Sequence, residues 1–169
     1  MRSRCLRTLA LAVALFWQSA AAEVLVGRVV AISDGDTLTV LDADKRLHRV
    51  RLAGIDAPEK KQAYGEGSKQ HLARLAFGKD VAVEWDKTDR YGRVLGKVVI
   101  DALDANLAQV RAGYAWHYKR YEHEQNAEDR RRYAASAAAA RSERLGLWRE
   151  PGPTPPWDWR AQQRPAARR

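Results

Sequence analysis

The chain has 169 residues, enough for one domain with a little to spare. Apolar residues make up 46% and charged residues 30%, which excludes both a disordered polypeptide and an integral membrane protein. Lys and Arg total 30 against 21 Asp and Glu, and the formal charge of +9 favours polyanionic partners such as nucleic acid, anionic lipid heads or acidic glycans; the single Cys5 excludes a disulfide framework and a cysteine zinc site.

Residues 1–22 carry Arg2, Arg4 and Arg7, then an apolar run from Leu9 to Trp17, then Ser19 to Ala22, which are the three parts of a secretory signal peptide. Cleavage is expected after Ala22, with export to the periplasm or the extracellular space and no membrane attachment afterwards. The alternative, an uncleaved anchor, would need a longer apolar run to span a bilayer. Val24 to Ser33, Thr37 to Leu41 and Leu47 to Ile55 then alternate as three strands, joined by turns at Asp34-Gly35-Asp36 and Asp42 to Arg46. Ser68 reads as a helix start, with Leu72, Leu75 and Ala76 on one stripe and closure near Gly78. Asp80 to Asp86 and Val94 to Ile100 alternate again around a polar turn containing Tyr91-Gly92-Arg93. A short helix through Leu103, Leu107 and Val110 ends at Gly113, and the Ala-rich run from about Glu124 to Arg144 predicts a longer one.

The order βββαββ predicts an α+β domain over residues 23–150, a five-stranded OB-type β-barrel with three helices, closed because an open sheet would leave edges to protect. Such barrels commonly carry single-stranded nucleic acid on one face. Residues 151–169 hold five of the six prolines and are expected to form no helix, only a flexible tail partly tethered by Trp157 and Trp159.

The chemistry concentrates in two acidic turns. Asp34-Gly35-Asp36-Thr37 and Asp56-Ala57-Pro58-Glu59 are each ordinary turn and strand-exit signals when taken singly. If the second and third strands pair, however, Asp36 and Asp56 meet on one side of the sheet as half of a hard-cation site. The carbonyl of Ala57 could complete it and leave positions for water and phosphate. Arg51 shares the strand of Asp56 and Arg93 comes from a separate turn; guanidinium forks match phosphate oxygens and would stabilise charge in a phosphorane-like transition state.

The ordered set D-G-D-T at 34–37, R-L-x-G-I-D-A-P-E at 51–59 and D-R-Y-G-R at 89–93 resembles the staphylococcal nuclease-like (thermonuclease) family, from about Val26 to Trp148. The resemblance implies a Ca²⁺-dependent phosphodiesterase acting on DNA and RNA; a single-stranded or frayed substrate and a monomeric protein are the accompanying expectations. It makes Asp36 and Asp56 the calcium ligands with the carbonyl of Ala57, and places Asp34 behind them. Glu59 would orient or deprotonate the attacking water, and Arg51 and Arg93 would clamp the phosphate. Tyr91 would lie near the bound 5′ phosphate or base, and Tyr118 or Tyr121 would wall the base. Lys60, Lys61 and Lys69 are expected near the site. A catalytically silent OB module that binds nucleic acid or protein is the other class of reading, but it would have no reason to gather mutually repelling carboxylates with arginines.

Overall fold

The computed structural model describes residues 23–163; the expected leader at 1–22, with Cys5, and residues 164–169 lie outside them. In chain order the elements are β1 (Glu23–Ile32), β2 (Thr37–Asp42), β3 (Leu47–Leu52), β4 (Ile55–Asp56), α1 (Gly65–Ala76), β5 (Asp80–Thr88) and β6 (Val94–Ile100). They continue with β7 (Leu103–Asp104), α2 (Ala105–Arg111), β8 (Trp116–His117), α3 (Ala127–Ser142) and α4 (Pro156–Gln162).

Strand alternation sets the architecture. β1 pairs antiparallel with β2 on one side and β5 on the other, β2 pairs with β3, and β5 pairs with β6. A parallel pairing of Val50–Leu52 with Val94–Gly96 then joins the two ends, giving a closed five-stranded mixed barrel of the OB type. Register shifts between Val29 and Ala31 and between Trp85 and Lys87 add the bends that closure of so short a barrel needs. Val29, Leu38, Val40, Val50, Leu52, Val83 and Val98 fill the interior, all nearly inaccessible to solvent. Because successive strand residues face opposite ways, Arg51, between Val50 and Leu52, is turned out of the barrel toward the cleft described below.

The third strand departs from its expected length. It stops at Leu52; Gly54 takes a left-handed φ of 74°, and Ile55–Asp56 leaves the barrel to pair antiparallel with Trp116–His117. The first helix starts at Gly65 rather than Ser68. The long helix starts at Ala127 rather than near Glu124, capped by the Asn126 side chain, which accepts from the Asp129 N–H at 2.8 Å, and Lys119–Glu124 just before it forms 3₁₀ turns.

The proline-rich segment is also corrected. Expected to hold no helix, it forms α4, a fourth helix, with Pro156 in its first turn, where a missing N–H leaves no bond unmade and the fixed φ suits the helix. Tertiary contacts hold it: Pro156 is buried, Gln62 Nε2 donates to the Thr154 carbonyl at 2.6 Å, and Trp157 packs on Trp116 and Tyr118. Among the described residues no helix is long and apolar enough to cross a membrane.

Candidate active site

The site is built from the break in β3. Leu52 N–H donates to the Asp36 carbonyl at 2.8 Å, so the acidic turn before β2 is stitched to the end of β3. The chain then turns at Gly54, and β4 brings Asp56 alongside. Ala57 N–H donates to Asp36 Oδ2 at 2.6 Å and Thr37 Oγ1 donates to Asp36 Oδ1 at 3.2 Å, which fixes the carboxylate's orientation. Gly35 is obligatory between the two aspartates, since a Cβ there would overlap the Ser68 side chain of α1, while its carbonyl accepts from Gln109 Nε2 at 2.6 Å.

Arg51 joins the two acidic turns. Its Nη2 donates to Asp56 Oδ1 at 2.8 Å, and its Nη1 lies 2.6 Å from Asp36 Oδ2 as an ion pair. The geometry of the second contact is too bent for a hydrogen bond, so Nη1 is a buried donor without a well-aligned acceptor among the described residues.

One cleft of about 940 Å³ collects Asp34, Asp36, Arg51, Asp56, Ala57, Glu59, Tyr91, Arg93, Tyr118 and Tyr121, which are all of the candidate residues. Arg93 enters from the β5–β6 turn and is held by Asp89, which takes Nε and Nη2 at 2.7 Å each and also accepts the Arg93 and Tyr91 backbone N–H groups. The same bonds outweigh partial burial and hold the Asp89 carboxyl below its ordinary range. Tyr118 and Tyr121 meet edge to face at 5.1 Å between ring centroids, and Tyr118 N–H donates to the Gly54 carbonyl at 2.9 Å, which ties this aromatic corner to the β3 break. Tyr91 stands 64% exposed at the mouth, with the Arg90 and Arg93 guanidinium groups 4.8 and 5.6 Å from its ring centre. Lys60, Lys61 and Lys69, expected nearby, do not line the cleft.

The electrostatics call for cationic company. Burial, opposed by Arg51 but reinforced by Asp34 and Asp56, raises the Asp36 carboxyl well above the ordinary carboxylate range. Asp34, Asp36, Asp56 and Glu59 together carry more negative charge than Arg51 can offset. Among the described residues no three His, Cys, Asp or Glu side chains form a group able to hold an ion by themselves. Asp36, Asp56 and the Ala57 carbonyl are nonetheless oxygen donors of the kind a hard cation takes, and could hold one openly with its remaining positions given to water and substrate. One further charge already sits against these carboxylates: Arg160 of α4, whose Nη2 lies 2.7 Å from Asp56 Oδ2 and whose Nη1 lies 2.7 Å from Glu59 Oε1.

Arg160 and Asp89 are site residues that the sequence reading missed. Asp89 opens the D-R-Y-G-R motif, and an Asp four residues before an Arg across a glycine turn is a readable signal. Arg160 offers none, because its place depends on how α4 docks.

A family profile described as "Staphylococcal nuclease homologue" matches residues 49–150. Over 135 residues the chain is 44% identical to an uncharacterized endonuclease of Escherichia coli, covering 79% of this chain and 84% of that one. It is 42% identical over 137 residues to an uncharacterized endonuclease of Haemophilus influenzae, covering 81% and 74%. It is 40% identical over 164 residues to a protein named micrococcal nuclease from Shigella flexneri, covering 92% and 91%.

Proposed function

The chain belongs to the staphylococcal nuclease homologue family, and from that premise we propose that it is an exported, calcium-dependent nuclease that hydrolyses phosphodiester bonds of DNA and RNA with little preference for the sugar. The observation that carries the proposal is the bridge Asp36–Arg51–Asp56, with Glu59 one turn away in the same cleft. Asp36, Asp56 and the Ala57 carbonyl would hold the ion, with Asp34 behind them. Bound there, calcium would supply positive charge to the phosphate oxygens and acidify a coordinated water.

The chain's own residues do the rest. Arg51, held between Asp36 and Asp56 at the wall of the cleft, donates to one phosphate oxygen, and Arg93, held by Asp89, reaches the same ester from the opposite turn. Their charges match the negative charge that grows as the phosphorus becomes five-coordinate, so they bind the transition state more tightly than the substrate. Glu59 orients the attacking water and takes its proton. Tyr118 and Tyr121 offer faces to a base, which needs to be unstacked to reach them; single strands and frayed ends therefore suit the cleft best. Tyr91 lies at the mouth, where a 5′ phosphate or base would pass. The working unit is the monomer, and the expected leader at 1–22 would direct it to the periplasm or beyond.

The test is incubation of the purified mature protein with single-stranded DNA and with RNA, in Ca²⁺, in Mg²⁺ and in chelator. Calcium-dependent loss of both polymers is the expected result. Retention of the polymer as a stable complex would replace this reading with that of a silent binding module.

A further inference from the structure

Two contacts of α4 take no part in the hydrolysis described above. Arg160 lays a guanidinium fork across the carboxylates: Nη2 to Asp56 Oδ2 at 2.7 Å, Nη1 to Asp56 Oδ1 at 3.2 Å, and Nη1 to Glu59 Oε1 at 2.7 Å. Three residues earlier, and so on the same helix face, Trp157 stacks on Tyr118 with 5.2 Å between ring centroids and 15° between planes. A cation touches the side chains that would bind or use calcium, and a flat aromatic ring covers the face offered to a base.

A helix docked only for packing would need nothing but its apolar contacts, which α4 has in Pro156 and in the edge-on meeting of Trp157 with Trp116 at 5.6 Å. Aiming a bidentate guanidinium at a carboxylate that is 1% exposed serves a different end. The attachment is also reversible in construction. Arg160 keeps 40% of its side-chain exposure, α4 has seven residues, and the segment leading to it contains Pro151, Gly152, Pro153 and Pro155, with Gly152 at a left-handed φ of 67° and open space around it. With seven residues, of which only Pro156 is buried, α4 belongs among the elements that open before the fold does.

We propose that α4 is an intrasteric latch: Arg160 stands in for the metal ion on Asp56 and ties up Glu59, while Trp157 stands in for a nucleobase on Tyr118, so that cation and single-stranded polynucleotide must displace the helix to bind. The latch rests on the nuclease reading of the cleft. Linkage makes it reciprocal: calcium favours the open helix, and the closed helix weakens calcium.

The experiment measures calcium affinity by calorimetry without nucleic acid, on the full mature chain, for the wild type, Arg160→Ala and Trp157→Ala. A latch closed nine-tenths of the time lowers apparent affinity about ten-fold, so both variants are expected to bind Ca²⁺ up to about ten-fold more tightly than the wild type. Trp157→Ala separates the latch from simple loss of a repelling charge, because Trp157 touches neither carboxylate, and it also decides the matter should Arg160→Ala fail to fold. Saturating calcium is further expected to shift wild-type tryptophan emission to the red as Trp157 leaves Tyr118, a change that Trp157→Phe removes. Unchanged or weaker calcium binding in Trp157→Ala, or no emission change in a wild type that binds calcium, overturns the latch and leaves the nuclease reading standing. A wild type that neither binds calcium nor degrades single-stranded DNA overturns both.

Discussion

Arg51 is the residue on which the cleft turns, because it touches both buried aspartates and lines the cleft between them. Arg51→Ala and Glu59→Ala are each expected to lower kcat for single-stranded DNA by about 10²-fold or more, the usual cost of removing one electrostatic partner of the transition state. Near wild-type turnover in a folded variant would take that residue out of the reaction. Asp89 acts one step back, by holding Arg93. Its carboxyl is partly buried, but the hydrogen bonds from Arg93 and Tyr91 and the charge of Arg93 lower it below its ordinary value of 3.8. The stability it adds is therefore fully present above that value and is lost as pH falls through the lowered one. Asp89→Asn is expected to melt earlier than the wild type at neutral pH, with the gap closing only in strong acid; a gap unchanged down to the lowest pH would contradict this. The motif spacing made Asp36, Arg51, Asp56 and Glu59 legible in the sequence, since each lies within a few residues of a turn that can be recognised by type. Arg160 was illegible because one arginine in a basic tail looks like any other until its helix is docked.

At the scale of elements, the site depends on where β3 stops. Asn106 of α2, fully buried, holds that point: its Oδ1 accepts from the Val98 N–H at 3.1 Å and its Nδ2 donates to the Ala53 and Gly96 carbonyls at 3.0 Å each. Asn106→Ala would strand these buried groups, with an expected loss of about 3 kcal/mol in urea denaturation and a fall in cleavage rate as Asp56 loses its placement. A loss below about 0.5 kcal/mol, the range of an ordinary surface change, would mean that the break in β3 is held by something else. Sequence alternation located β1, β2, β5 and β6 because each side of a strand meets a different medium. It carried on past Leu52 because Ile55 is also apolar, and only the pairing of β4 with β8, some sixty residues later in the chain, decides that Ile55–Asp56 leaves the barrel. Closure of the barrel was legible from the need to protect sheet edges, though not that β3 and β6 close it in parallel. Pro156 misled in the opposite direction: it forbids a helix interior but favours a helix start, and the docking of Trp157 settles which applies.

For the whole molecule, a ligand that binds only the folded chain must stabilise it. If Asp36 and Asp56 hold calcium, then calcium at about a hundred times its Kd adds about 2.7 kcal/mol to unfolding, less whatever closing α4 already contributes. The rise in Tm is expected in the wild type and absent in Asp56→Asn; an equal rise in both would place the ion elsewhere. The net positive charge belongs to the same scale: it persists when Arg2, Arg4 and Arg7 leave with the expected leader, and it draws a polyanion toward the protein so that KM for single-stranded DNA is expected to rise steeply with salt. The most direct measurement of all is single-turnover cleavage of a short single-stranded oligonucleotide by the mature chain in calcium, in chelator, and with Arg51→Ala in calcium. Rapid cleavage in the first, none in the second and a slowing of about 10²-fold or more in the third is the expected result. Cleavage that persists in chelator, or an Arg51→Ala protein that cuts at the wild-type rate, would contradict the assignment of this cleft as a cation-dependent phosphodiesterase.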